Sequence, residues 1–308
     1  MKKHILYLLT FALVISFTAC KKEKDPKDND EIATHSDDQS QFSAEVDAVA
    51  NDADIAIESS TSFTGRLQNP QDMLGIICDA TIAINTASNP MTITITYDGS
   101  NCLGNRTRTG VVVLLMPQGT QWKNAGAAIT VTFQNLKVTR VSDGKSITIN
   151  GSQTYTNVSG GLMINLPTLN NITHAITSSG LSVKFNNETQ RNWQVAKQRV
   201  FTYNGGVIIT TTGTHTEGNI TNIAEWGTNR FGGAFTTAIT SPLVVKQDCS
   251  FRLTSGAVSH TTPLVNATVT FGLDANGTAT SCPGTGAYYY KVIWTGLNGN
   301  TITLIHPY

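Results

Sequence analysis

Charge is scarce in this chain, and it is balanced. Charged residues make up 14% of 308 positions, with 21 Lys and Arg against 21 Asp and Glu. That balance excludes the basic excess of a nucleic-acid binder. Aromatics are few, at 7%, but apolar residues reach 40%, too many for a disordered chain. Only one long apolar run occurs, and its 13 residues, Ile5 to Phe17, fall short of the ~20 that cross a bilayer. Cys-x-x-Cys and His-Glu-x-x-His are both absent, and no His lies within four residues of a cysteine beyond Cys20. The usual zinc spacings are therefore missing, and neither a metal nor a cofactor is expected.

What is there begins with a targeting pattern. Lys2 and Lys3 precede the apolar run, which has the length of a signal-peptide core. The run ends in Phe17-Thr18-Ala19-Cys20, which resembles a bacterial lipobox with Phe in place of the usual Leu. Residues 1–19 are read as a lipoprotein signal and Cys20 as the lipidated first residue of the mature chain. Residues 21–58 carry four Lys against twelve Asp and Glu, and no large aromatic residue before Phe42. Residues 20–58 are accordingly read as an anchor and a solvated acidic tether. Within it, Phe42, Val46, Val49 and Ala53 recur at helical spacing, which predicts one short helix packed on the body or capping its edge.

Residues 59–308 form the body, with fifteen Lys and Arg against nine Asp and Glu. This mild excess is read as a solubility balance. From Ile76 onward the hydrophobic period is two. Met91, Ile93, Ile95 and Tyr97 alternate with Thr92, Thr94 and Thr96; Ile129, Val131 and Phe133 do the same, as do Val269, Phe271 and Leu273. One buried and one wet face is the antiparallel pattern. Asp143-Gly144, Asn204-Gly205, Asn276-Gly277 and Asn298-Gly299 punctuate the runs as hairpin turns. The expectation is an all-β antiparallel meander of about 14–20 short strands, as a sandwich or a curved half-barrel. Residues 138–157 (VTRVSDGKSITINGSQTYTN) match 200–219 (VFTYNGGVIITTTGTHTEGN) at seven identical positions, so 138–199 and 200–261 are read as repeats.

Cys78, Cys102, Cys249 and Cys282 are an even set and read as disulfides outside the cytoplasm. Of three possible pairings, 78–102 and 249–282 each close a hairpin-sized region. No catalytic constellation emerges. His174, His215 and His260 sit beside Thr or Ser in strand patterns and are expected to face solvent. Asp98, Glu225, Asp248 and Asp274 are the available carboxylates for a glycosidase pair and read as solvated acids. Binding candidates are Trp122 and Trp226 in loop-like settings, with Arg230 nearby, for stacking on a sugar ring; packing in the core or as plugs at the end of the sheets is the favoured reading. Arg106 and Arg108, two apart, share a strand face or turn; they are candidates for gripping an anion, with structural pairing to acids the favoured reading. Trp193 and Trp294 lie in alternating strands and read as core.

Several of these segments carry a resemblance. Residues 92–113 (TITITYDGSNCLGNRTRTGVVV), with Phe133-Gln134-Asn135, Trp193, Gly213-Thr214, Ile239-x-x-Pro242-Leu243 and Asp248-Cys249, resemble a family of Bacteroidota lipoproteins across nearly the whole body. Residues 21–30 (KKEKDPKDND) are similar to charged segments that follow the lipid cysteine in such proteins, some of which direct export to the cell surface. The resemblance implies an envelope location and an all-β fold, and brings no activity, cofactor or catalytic residue. The leading expectation is a non-enzymatic outer-membrane lipoprotein, bound to the membrane through Cys20, with a binding or envelope-structural body. A glycan-binding accessory protein and a periplasmic carrier of an apolar ligand are the alternatives, with a glycan or an envelope protein as partner. A hydrolase ranks last.

Overall fold

The computed structural model describes residues 26–64, 77–263, 265–282, 286–295 and 301–308. Cys20, with the signal segment, and the turn at Asn298-Gly299 lie outside them.

The chain opens with a helix, α1 (Pro26–Glu58), of 33 residues, far longer than the short helix expected. Pro26 supplies the fixed φ of a first helical position. No Gly or further Pro interrupts the segment, and six alanines favour the helix. At 1.5 Å per residue it is about 50 Å long. A one-turn helix, α2 (Thr61–Thr64), follows.

Among the described residues, fifteen strands then build one connected antiparallel sheet. The first half is β1 (Ala80–Asn85), β2 (Met91–Ser100), β3 (Arg106–Met116), β4 (Ala127–Arg140), β5 (Ser146–Asn157), β6 (Ile172–Phe185) and β7 (Gln190–Tyr203), each paired with the next. The second half is β8 (Val207–Gly213), β9 (His215–Glu217), β10 (Ile220–Thr228), β11 (Ala234–Lys246), β12 (Arg252–Thr261), β13 (Asn266–Leu273), β14 (Tyr289–Thr295) and β15 (Thr301–Pro307). The expected alternation holds: Met91, Ile93, Ile95 and Tyr97 are buried, as are Ile129, Val131, Phe133, Val269, Phe271 and Leu273. The turns at 143–144 and 204–205 join β4 to β5 and β7 to β8.

One departure from the meander has a simple geometry. β8 and β10 share the slot between β7 and β11: β10 pairs β7 at residues 193–195, and β8 pairs it at 197–203. On the other side β11 meets β10 at 234–238 and β8 at 243–246. β8 and β10 are thus two halves of one interrupted strand, from which residues 214–222 leave as a small hairpin carrying β9. Gly213 stands where the excursion closes, since a Cβ there would strike the backbone of Asn222. In the segments read as repeats, Ile147 pairs with Phe185 across β5 and β6, and the aligned Ile209 pairs with Val245 across β8 and β11.

The sheet wraps α1. Phe42, Val46, Val49, Ala50, Ala53, Ala56 and Ile57 are fully buried, and the residues they share a core with lie on β2 to β7 and β11. Ile32 joins a second cluster with β11 to β14. Residues 30–58 are therefore not a solvated tether. They are the filling of the curved sheet, and the acidic segment and the basic body belong to one folded unit.

Candidate functional site

The helix can be buried because its carboxylates meet cations on the sheet. Glu45 accepts from Arg106 at 3.0 Å and from Arg108 at 3.3 Å. Arg108 also reaches Asp52 at 2.7 Å and Asp79 at 2.6 Å, and its guanidinium lies over the Tyr97 ring. Tyr97 donates its hydroxyl to Asp52 at 2.8 Å, and burial beside that carboxylate pushes the phenol pKa up. Lys197, fully buried, spans Glu225 at 2.7 Å and Asp47 at 3.1 Å. Asp54 faces His174 at 3.4 Å and Arg199 at 3.6 Å. Arg230 binds Asp38, and Arg140 and Lys145 both bind Asp37. Burial alone would raise the Asp37 pKa, but hydrogen bonds from Arg140 and Lys145 hold it below the usual carboxylate range.

This lattice fixes the place of most of the binding candidates. Arg106 and Arg108 pair with acids of α1, and Arg230 pairs with Asp38. Trp122 is 1% exposed, its backbone N–H donating to Phe63 O at 2.7 Å and its ring lying against His174. Trp226 stays half-exposed on β10, but His215 from the excursion stacks on it at 4.1 Å. Glu225 is sealed inside with Lys197, whereas Asp98 and Asp248 are exposed, so the carboxylates considered for a glycosidase are dispersed. His174 and His260 point inward, not to solvent, at 3% and 2% exposure. Both disulfides form as expected, Cys78–Cys102 and Cys249–Cys282. Asp248, Cys249 and Cys282 cluster tightly, but the two sulfurs are bonded to each other and are not free ligands. Trp193 and Trp294 are core, as read.

A cleft remains beside the helix. One face of α1 (Asp37, Gln41, Ala44, Ala48 and Asn51) is only partly covered by the sheet, and Ala44 is exposed. It forms a small, polar floor to a cavity of about 230 Å³. The opposing wall is apolar and aromatic: Leu243, Val245, Phe251, Leu253, Val258, Phe271, Tyr290 and Tyr308. Tyr308 is fixed in that wall, donating its hydroxyl to Leu253 O at 2.7 Å and accepting from Gly272 N at 3.0 Å. Arg106, Arg140 and Asp47 border the floor and give the cleft a charged rim.

No known protein family, curated protein or solved structure matches this chain.

The site is therefore read from its own chemistry. An apolar cavity of ~150 Å³ accommodates a benzene ring. The larger cleft here suits an aromatic ring or short acyl group with a polar head directed at the rim. Sequence reading missed it because its wall is spread over four strands and the C-terminal tyrosine. Its floor lies in the segment taken for a tether. The period-two burial of Phe271 and Tyr290 was the available signal, since it puts both on the inner face. Among the described residues no helix is long and apolar enough to cross a membrane.

Proposed function

We propose that this protein is a non-enzymatic, lipid-anchored envelope protein that holds a small amphipathic molecule in the cleft between α1 and the C-terminal strands. The observation that carries the reading is the pairing of a polar helix face with an aromatic wall across one cavity. Such a contrast orients a ligand with one apolar and one polar end. The lipobox-like Phe17-Thr18-Ala19-Cys20 supports the anchor, and two disulfides fit an oxidising compartment. The outer membrane is then a partner through Cys20, and the ligand is an envelope metabolite or an acyl or aryl fragment of one.

Ala44 offers a clean test because it is exposed on the cleft floor and carries no contact of the core. An anilinonaphthalene sulfonate probe, apolar with one anionic head, should bind the native chain at one equivalent. Short-chain fatty acids should displace it. Ala44→Trp should fill the cleft and abolish binding with the melting temperature unchanged. Equal probe binding by the parent and by Ala44→Trp would sink the reading.

A further inference from the structure

A second cavity, of about 290 Å³, lies at the N-terminal end of α1, against β12 and β13. It is lined by Ile32, Phe231, Pro263 and Val265 and contains two histidines. His35 and His260 are 4% and 2% exposed, with ring centres 5.7 Å apart. Neither nitrogen of His35 has a hydrogen-bond partner, and neither does His260 Nε2. A buried imidazole normally satisfies at least one nitrogen, so three orphaned nitrogens on two residues that line one cavity call for a ligand. His260 Nδ1 lies 2.8 Å from Thr237 Oγ1. If that nitrogen carries the proton, Nε2 presents its lone pair to the cavity. A metal-ligating histidine is usually held in this way by its other nitrogen.

From these observations we propose that His35 and His260, completed by Glu31, form a binding site for a divalent first-row transition ion such as Zn²⁺. Imidazole nitrogen is a preferred donor for these ions. Two imidazoles sharing one zinc at ~2.0–2.1 Å, with a near-tetrahedral angle, place their ring centres about 5–6 Å apart. The observed separation fits that distance. Glu31 lines the same cavity one helical turn before His35, on the same face of α1. As the side chains stand, the three donors do not meet at one point; among the described residues only the Asp248 cluster is that tight. Glu31 is exposed, and the proposal requires its side chain to turn inward. Three protein donors leave the fourth position to water or to a small ligand in the cavity. Sequence reading had no access to this pair, because His35 lay in the supposed tether and His260 among threonines.

The test is calorimetric titration of the full chain with ZnCl₂, with His35→Phe as the variant. Phe suits the position, since His35 already packs against Phe235 and Trp193. The parent should bind one equivalent at micromolar or tighter affinity. His35→Phe should lose at least tenfold, and Glu31→Gln several-fold. If His35→Phe does not fold, Cu²⁺ bound to the parent chain decides by paramagnetic resonance. Splitting from two imidazole nitrogens supports the site, and oxygen-only coordination overturns it. Zinc affinity unchanged by folded His35→Phe, or no stoichiometric binding by the parent, also overturns it. The ANS result at the Ala44 cleft stands or falls separately.

Discussion

Arg106 and Arg108 differ by two positions in sequence and greatly in consequence. Arg108 is 6% exposed at its side chain and serves Glu45, Asp52 and Asp79 together. Removing it takes the bidentate cation from Asp79 and leaves Glu45 only Arg106 and Asp52 only the Tyr97 hydroxyl in a poorly solvated interior, and breaking a buried pair in this way typically costs about 3–5 kcal/mol. Arg108→Met is expected to lose about that much in urea unfolding. Arg106 is 25% exposed and meets Glu45 alone, so Arg106→Met should cost about 1 kcal/mol or less. Equal losses would mean that the lattice is not the determinant described here. Asp37 gives a pH signature. Its folded pKa lies below the ordinary carboxylate value because Arg140 and Lys145 hydrogen-bond it, against the opposing effect of burial. A depressed carboxylate contributes stability that is present above its unfolded pKa and is lost as pH falls through the folded one. Below about pH 4 the parent should therefore lose melting temperature more steeply than Asp37→Asn. Parallel acid branches for the two proteins would contradict this.

At the scale of elements, α1 acts as the core of a sheet that has little other filling. Phe42, Val46, Val49 and Ile57 are fully buried among residues of β2 to β7. A chain beginning at Ser59 loses all of them and leaves Arg108 and Lys197 without their helix partners. It should show no cooperative thermal transition by circular dichroism. A separate peptide of residues 26–58 should restore the transition, and added salt should weaken that rescue because part of the attraction is ionic. A cooperative melt of the truncated chain would show that the helix is an accessory. The strands were legible because threonine alternates with aliphatic residues, and one wet face against one buried face leaves a period of two. The helix was not, for a physical reason. Its buried positions are filled largely by alanine and by carboxylates, and a run of acids reads as solvated when its counter-charges lie a hundred residues away. Arg106 and Arg108 were noticed as cations placed to grip acids, and Arg230 only as a neighbour of Trp226; the acids that all three meet belong to the same chain. The cleft was illegible for the same reason, since its floor is the outer face of that helix.

At the scale of the molecule, the buried helix shortens the distance between anchor and body. Six residue steps separate Cys20 from Pro26, at most about 20 Å when fully extended. On the lipid-anchored proposal the domain therefore sits close to the membrane instead of standing off on residues 21–58. This makes protease treatment of cells more informative than a test for loss of signal. Between Cys20 and Arg66 the tryptic sites are Lys21, Lys22, Lys24 and Lys27 only, and the last lies in the first turn of α1. The rest of α1 has neither Lys nor Arg, and most of it is packed inside the sheet. Brief trypsin treatment should therefore sever the anchor first and liberate a folded domain whose N-terminus lies between residues 22 and 28. Mass spectrometry of the supernatant would identify it. Release from intact cells would place the cleft outside, where ligands come from the surroundings. Release only after the outer membrane is permeabilised would place it in the periplasm, as a carrier of envelope material. Digestion of the body to small peptides, with no intermediate beginning near α1, would contradict the single folded unit from which both readings start.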